Sequence, residues 1–328
     1  MKLKKTFTSF LKKIPLTAHL LLLALMLFLM TSCGGKKNNQ SETKDSTAQS
    51  TPPPVAKLMT NQELYKTEEV EGLEAALKKP AHVYRLSLQQ SGLKTLSDDI
   101  QKLKNLQSLA VGMNPGLNLG QVIGQLESLP LLQELNTSDN ELKRIPANIK
   151  NLQQVHSIWL DNNPTLDLKQ AFTAMSAMPK LEEVSLVDSK VMELPADISK
   201  MKGLKRLVVS HNKLQTLPNS FDQLQKLEFV DLSSNKKLNI SQVLNELVKI
   251  KSLKRLFLSK CELKKIPDTI GKLENLEVLI LNSNQIETLP ASMKNLTKLK
   301  ELYIAGNPLV PQAVEGLKTL FPKVRITK

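Results

Sequence analysis

The sequence predicts an α/β solenoid, a stack of repeated units that each give one short strand to a common parallel sheet and a short helical or 3-10 piece to the opposite side. The first observation behind this is a recurrence. The pattern L-x-x-L-x-L-x-x-N-x-L starts at Val83, Leu106, Leu132, Val155, Leu181, Leu204, Leu227, Leu253, Leu276 and Leu299, giving ten units spaced by 23 or 26 residues. The second is local: the x-L-x-L-x segment of each unit alternates apolar and polar, as a strand with one buried face does. A parallel neighbour then requires a crossover of about a dozen residues, which the remainder of each unit supplies. The third is composition. Aromatics make up only 4% of the 328 residues while apolar residues reach 41%, which suits a core that grows by stacking one kind of side chain.

Seven units carry asparagine at the ninth position: Asn114, Asn140, Asn163, Asn212, Asn235, Asn284 and Asn307. A buried asparagine both donates to and accepts from backbone groups that a turn would otherwise strand in the core. Ser91, Ser189 and Cys261 take that place in the other three units and satisfy the turn only in part. The 23-residue units continue with Leu-Pro or Ile-Pro, as at Ile145-Pro146 and Leu289-Pro290, where proline fixes the chain for a 3-10 or short helical turn. The 26-residue units lack that proline and read as amphipathic helices, for example Ser241 through Val248 with Val243, Leu244 and Leu247 on one face.

From about Val83 to the C-terminus the chain resembles the leucine-rich-repeat family, with specific motifs such as Leu204-x-x-Leu207-x-Val209-x-x-Asn212-x-Leu214. The resemblance implies a curved horseshoe with a parallel sheet on its concave side, short helical or 3-10 segments on the convex side, and ligand binding on the concave sheet. An array exposes its core at both ends and needs caps. At the front, Thr67 to Lys78 reads as a helix capped by Thr67, with Val70, Leu73 and Leu77 on one face. At the back, a helix around Gln312 to Leu320 precedes a last strand at Val324-Arg325-Ile326.

The first residues form a basic stretch with Lys2, Lys4, Lys5, Lys12 and Lys13, then an apolar run from Leu20 to Met30, then Thr31-Ser32-Cys33. This is the layout of a secretory signal, and the apolar run is shorter than the roughly 18 residues of a spanning helix. Met30-Thr31-Ser32-Cys33 resembles the lipobox of bacterial lipoproteins, although Met30 stands where that motif usually has Leu, Val or Ile. The resemblance implies acylation of Cys33 and a membrane-tethered location in a bacterial cell envelope. The resulting organisation is a signal peptide over 1–32, a polar tether over 33–57, a helical cap over 58–82, repeats over 83–323 and a cap strand over 324–328. With Cys33 lipidated, Cys261 has no partner for an intramolecular disulfide. It reads as a small buried ladder residue, since no general base sits at a predictable place beside it to make it a catalytic thiol.

Outward positions of the strands are the third, fifth and seventh of each unit. Val208, Phe229, Phe257, Val278, Ile280 and Tyr303 fall there on five consecutive strands, and Trp159 occupies the same fifth-position column two units earlier. Contiguous apolar patches of this kind mark interaction sites, with Arg206, Arg255 and Asp231 nearby to set specificity. The competing reading is that they are strand formers partly covered by their neighbours.

The sequence thus points to a non-enzymatic scaffold that binds a protein partner on this face. A glycan or cell-wall ligand stacked on Trp159, Phe257 and Tyr303, and a structural spacer or self-associating adhesion element, are its alternatives. The formal charge is +14, and the five lysines before Cys33 leave +9 on the processed chain. Arg85, Arg206 and Arg255 are mixed on the face with Glu134, Asp161, Glu183, Asp231 and Glu301, not the coherent basic stripe that tracks phosphates, which argues against nucleic acid. His19, His82, His156 and His211 lack metal-ligand spacing, and neither a phosphate loop nor a nucleophile elbow occurs, so no metal, cofactor or catalytic residue is assigned.

Overall fold

The computed structural model describes residues 57–328. The signal segment 1–32, Cys33 and the tether up to residue 56 lie outside the described residues. Among the described residues, twelve strands form one sheet in strict sequence order, every pair parallel. They are β1 (Glu69–Glu71), β2 (Arg85–Ser87), β3 (Ser108–Ala110), β4 (Glu134–Asn136), β5 (Ser157–Trp159), β6 (Glu183–Ser185), β7 (Arg206–Val208), β8 (Phe229–Asp231), β9 (Arg255–Phe257), β10 (Val278–Ile280), β11 (Glu301–Tyr303) and β12 (Arg325–Thr327). The ten repeat strands are β2 to β11.

Register aligns the central residue of every strand. Leu86, Leu109, Leu135, Ile158, Val184, Leu207, Val230, Leu256, Leu279 and Leu302 therefore stack in one column, each at most 2% exposed. This column joins the other leucine columns in one core that runs the length of the array.

Backs of the units follow their lengths. The three 26-residue units carry α-helices at Leu119–Leu126, Leu168–Met175 and Ile240–Leu247, each capped by a side chain of Asn118, Asp167 or Asn239 that accepts from the amide three residues on. Six 23-residue units carry 3-10 turns instead, and five of these have proline at the cap with φ between -57° and -69°.

An asparagine ladder runs through seven of the ten turns. Asn235 is fully buried; its Nδ2 donates to the carbonyls of Val209 and Leu232 at 2.9 Å, and its Oδ1 accepts from Leu214 N at 2.8 Å. Asn235 reaches a third carbonyl, Ser233 O, at 3.4 Å, whereas the replacements reach fewer: Ser189 Oγ has two at 3.3 and 3.4 Å, and Cys261 Sγ has two at the same distances. Just before the ladder residue, position eight of all ten units has positive φ, from Gln90 at 53° through His211 at 58° to Gly306 at 70°. Only the last unit uses glycine there, so nine turns hold an L-residue in the left-handed region to aim the ladder side chain inward.

At the front, the structure corrects the expected helix over 67–78. That stretch is split into β1 and a short helix, Leu73–Leu77, with Gly72 between them at φ 82°. Glu69-Val70-Glu71 also has the period of a strand, and pairing with the open edge of β2 places Val70 beside Leu86. Thr67 caps nothing: its hydroxyl donates to Leu64 O at 2.6 Å and closes the preceding turn. The capped helix lies earlier, at Asn61–Leu64, where Thr60 and Glu63 form a reciprocal capping box. At the back, a helix over Pro311–Leu320 precedes β12, which begins one residue after Val324.

Candidate binding face

The outward columns of the sheet divide the concave face into two chemically distinct halves. On β7 to β11, Phe229, Phe257, Val278 and Ile280 form one cluster, with Val208 and Tyr303 packed against it. The Phe229 and Phe257 rings meet edge to face at 4.8 Å, and the Arg206 guanidinium stacks over Phe229 at 4.2 Å while its Nε donates to Glu183 at 3.1 Å. Arg255 lies between Phe229 and Val278 in the register.

This cluster corrects the expectation of a broadly exposed apolar patch. Phe229 is 3% exposed, Val278 6%, Ile280 7% and Phe257 9%; only Val208 and Tyr303 remain half-buried and reachable. Neighbouring strands lie about 4.8 Å apart, so large side chains in the same column close over one another. Asp231 sits beside Phe257 in the register, but its carboxylate turns to its own loop and accepts from Ser233 N at 2.8 Å. Burial pushes that carboxyl above the ordinary aspartate range. Trp159 stands apart: β6, with Ser185 at the matching position, separates it from Val208, and it is itself 9% exposed.

The other half, on β2 to β6, is polar and acidic. Asp161 is 2% exposed and accepts from Ser185 Oγ at 2.5 Å and from Val187 N at 2.8 Å; burial outweighs these bonds and raises its carboxyl to about 6. Glu134 is 1% exposed, and burial raises it to about 7. A segment that sequence reasoning missed lies over this half. Gln107 accepts from Met59 N and donates to Lys57 O, both at 2.8 Å, and Gln133 donates to Met59 O at 3.1 Å. Tyr65 then inserts between Arg85, 4.6 Å from its ring, and Glu134, to which its hydroxyl donates at 3.0 Å. Residues 57–67 are thus a strap across the strand entries rather than a cap over the end. The Thr60-x-x-Glu63 capping box and the glutamines at the second position of two successive units are the signals that could have revealed it.

A testable consequence follows from Glu134. A carboxyl whose folded value is raised from 4.5 to about 7 binds its proton more tightly folded than unfolded. Its contribution is fully present below pH 4.5 and lost as pH rises through 7. Glu134→Gln keeps an acceptor for Tyr65 and is expected to stabilise the protein at pH 8 by on the order of 2 kcal/mol, with little gain at pH 4.5. Urea midpoints across that range check it; an unchanged pH profile in the variant would contradict the assignment.

At the strand entries, charges alternate and pair: Lys205 with Glu182 at 2.7 Å, Lys254 with Glu228 at 3.1 Å and Lys300 with Glu277 at 2.6 Å. Exposed pairs of this kind contribute roughly 0–1 kcal/mol each. They divide the basic charge into neutral pairs along that edge.

Comparison with known proteins bears on the fold. The chain matches the family described as "leucine-rich repeat region" over residues 229–321 and "leucine rich repeat" over 179–236. No curated protein matches it in sequence. Among solved structures, an internalin from Listeria monocytogenes str. 4b F2365 is similar over 79% of this chain and 71% of its own, with 19% identity and a TM-score of 0.53. The chain of a TLR13–ssRNA13 complex is similar over 75% of this chain with 24% identity and a TM-score of 0.60, and this chain spans only 39% of its length. At these identities the likeness is one of fold. The ten aligned units and the ladder through their turns give the array the fold of a leucine-rich-repeat solenoid, and the two family matches fall within it, over residues 179–321.

Proposed function

We propose that this protein is a lipid-anchored binding scaffold of a bacterial cell envelope, which recognises a protein partner on the concave face of β7 to β11. The observation that carries the reading is the cluster of Phe229, Phe257, Val278 and Ile280, rimmed by Val208, Tyr303, Arg206 and Arg255. A prepacked aromatic centre with arginine at its border is the composition of a protein-binding hot spot. Val208 and Tyr303 are its reachable surface. The mixed charge of the face and the paired lysines at the strand entries favour a protein over RNA, the ligand named for the TLR13 complex.

The anchor rests on Cys33 and the signal-like residues before it. Several acyl chains, at about 0.8 kcal/mol per buried methylene, hold a protein far more firmly than one. One comparison tests both parts of the reading, using the full chain, Cys33→Ala and Tyr303→Ala in membranes. Cys33→Ala is expected to lose acyl mass and membrane retention, and Tyr303→Ala to keep both while losing at least about tenfold in partner capture. An unprocessed chain beginning at Met1, or capture unchanged by Tyr303→Ala, would overturn the corresponding part.

A further inference from the structure

The two ends of the array differ from its middle. Each interior strand has hydrogen-bonded neighbours on both sides, whereas among the described residues β1 pairs only with β2 and β12 only with β11. The core opens at the same places: Val70 at the front and Ile326 at the back are only partly buried, though the residues of the same column between them are covered. An open strand edge backed by apolar side chains is a template for another strand. The strap does not cover the front edge, because Lys57 and Met59 lie over Gln107, two strands further in.

The two edges are complementary in charge and in register. β1 exposes the carboxylates of Glu69 and Glu71, while β12 exposes Arg325 between the exposed Lys323 and Lys328. In the array, Glu301 aligns with Arg325 and Glu69 with Arg85, so this position already alternates acid and base at both ends. A second copy added beyond β12 in the same register sets its Glu69 opposite Arg325 and its Val70 against Ile326.

The hydrogen-bonding groups also match. Arg325 N donates inward to Lys300 O at 2.8 Å and Thr327 O accepts from Ile304 N at 2.9 Å, so the alternation of a parallel ladder turns the amide and carbonyl of Ile326 outward. On β1, Gly72 N donates inward to Ser87 O at 3.0 Å, which leaves the amides of Glu69 and Glu71 facing out.

We infer that copies of this chain associate head to tail, β12 of one pairing in parallel with β1 of the next, so that sheet and core continue through the junction. The contact joins two different surfaces and does not close on itself, so it builds linear rows of copies. Neither the concave cluster nor Cys33 takes part. Failure of this inference therefore leaves the proposed function standing, and the reverse holds as well.

The test is the mass of the full chain in detergent micelles, by light scattering corrected for bound detergent, as a function of protein concentration. Wild type is expected to rise above the mass of one chain. Arg325→Glu and Glu69→Arg each bring like charges together and are expected to weaken association at least about tenfold. An equimolar mixture of the two restores it, since each then meets the opposite charge at both of its edges. Ile326→Pro removes an outward amide without touching the bonds to β11 and is expected to weaken association with an unchanged circular dichroism spectrum. A wild type that stays at one chain, variants that associate as wild type does, or a mixture that fails to recover overturns the inference.

Discussion

Replacing Asn235 with alanine is expected to cost the array roughly 2–3 kcal/mol, since it leaves the buried Leu214 N without its acceptor, at about 1–3 kcal/mol, and takes one of two donors from each of the Val209 and Leu232 carbonyls, which keep Asn212 Nδ2 and Cys261 Sγ. The Asn235 side chain now ties these three backbone groups together across two units. The side chain has no exposed surface through which water could substitute. Each repeat contacts only its neighbours, so a break at a central unit weakens the two interfaces that depend on it. Urea denaturation of the variant beside wild type checks this, read as a lower midpoint at an unchanged slope. A loss under about 1 kcal/mol would mean that the ladder is an ornament of the turns rather than their support.

Phe229→Ala has the second large expected effect, a loss of about 2–3 kcal/mol, somewhat below the usual range for a core phenylalanine. By its place in the alternation Phe229 faces outward, and a surface substitution there would change little. Its packing makes it a core residue on the wrong side of the sheet: it is 3% exposed, meets Phe257 edge to face and carries Arg206 on its face. Tyr303→Ala, at a half-buried rim position, is expected to change stability by less than about 1 kcal/mol. Thermal unfolding of the two variants separates the cases, and equal losses would remove the distinction between the packed centre of the cluster and its rim. The distinction matters for function, because a binding defect in Phe229→Ala would mix lost fold with lost contact, whereas one in Tyr303→Ala would not.

Much of the fold was legible because leucine spacing is itself the register. The helices of the long units, the 3-10 turns of the proline units and the strand positions from Arg85 to Tyr303 all follow from the period. The left-handed residue at position eight was not legible: Gln90, Met113, Asp139 and His211 share no side-chain chemistry, and the turn imposes their conformation. β1 is ambiguous in the sequence because Val70, Leu73 and Leu77 fit a helix face as well as Glu69-Val70-Glu71 fits a strand, and only the open edge of β2 decides between them.

On the concave face, alternation found which side chains share a column but not how far they cover each other. Burial there comes from packing between strands 23 to 26 residues apart, which the pattern of a single unit does not contain. The strap is hidden in the sequence for a related reason. Tyr65 and Glu134 are 69 residues apart, and nothing local to either marks the bond between them.

The central claim, that the face of β7 to β11 is where a protein partner sits, is tested most directly by a photo-cross-linking residue placed at Tyr303 in the full chain, with a second at the exposed Lys251, in the turn between the helix Ile240–Leu247 and β9, as control. One discrete protein adduct is expected at Tyr303 in native membranes, absent at Lys251 and lost when Val208→Asp is added. Equal labelling at both positions, or an adduct at Lys251 alone, would contradict it.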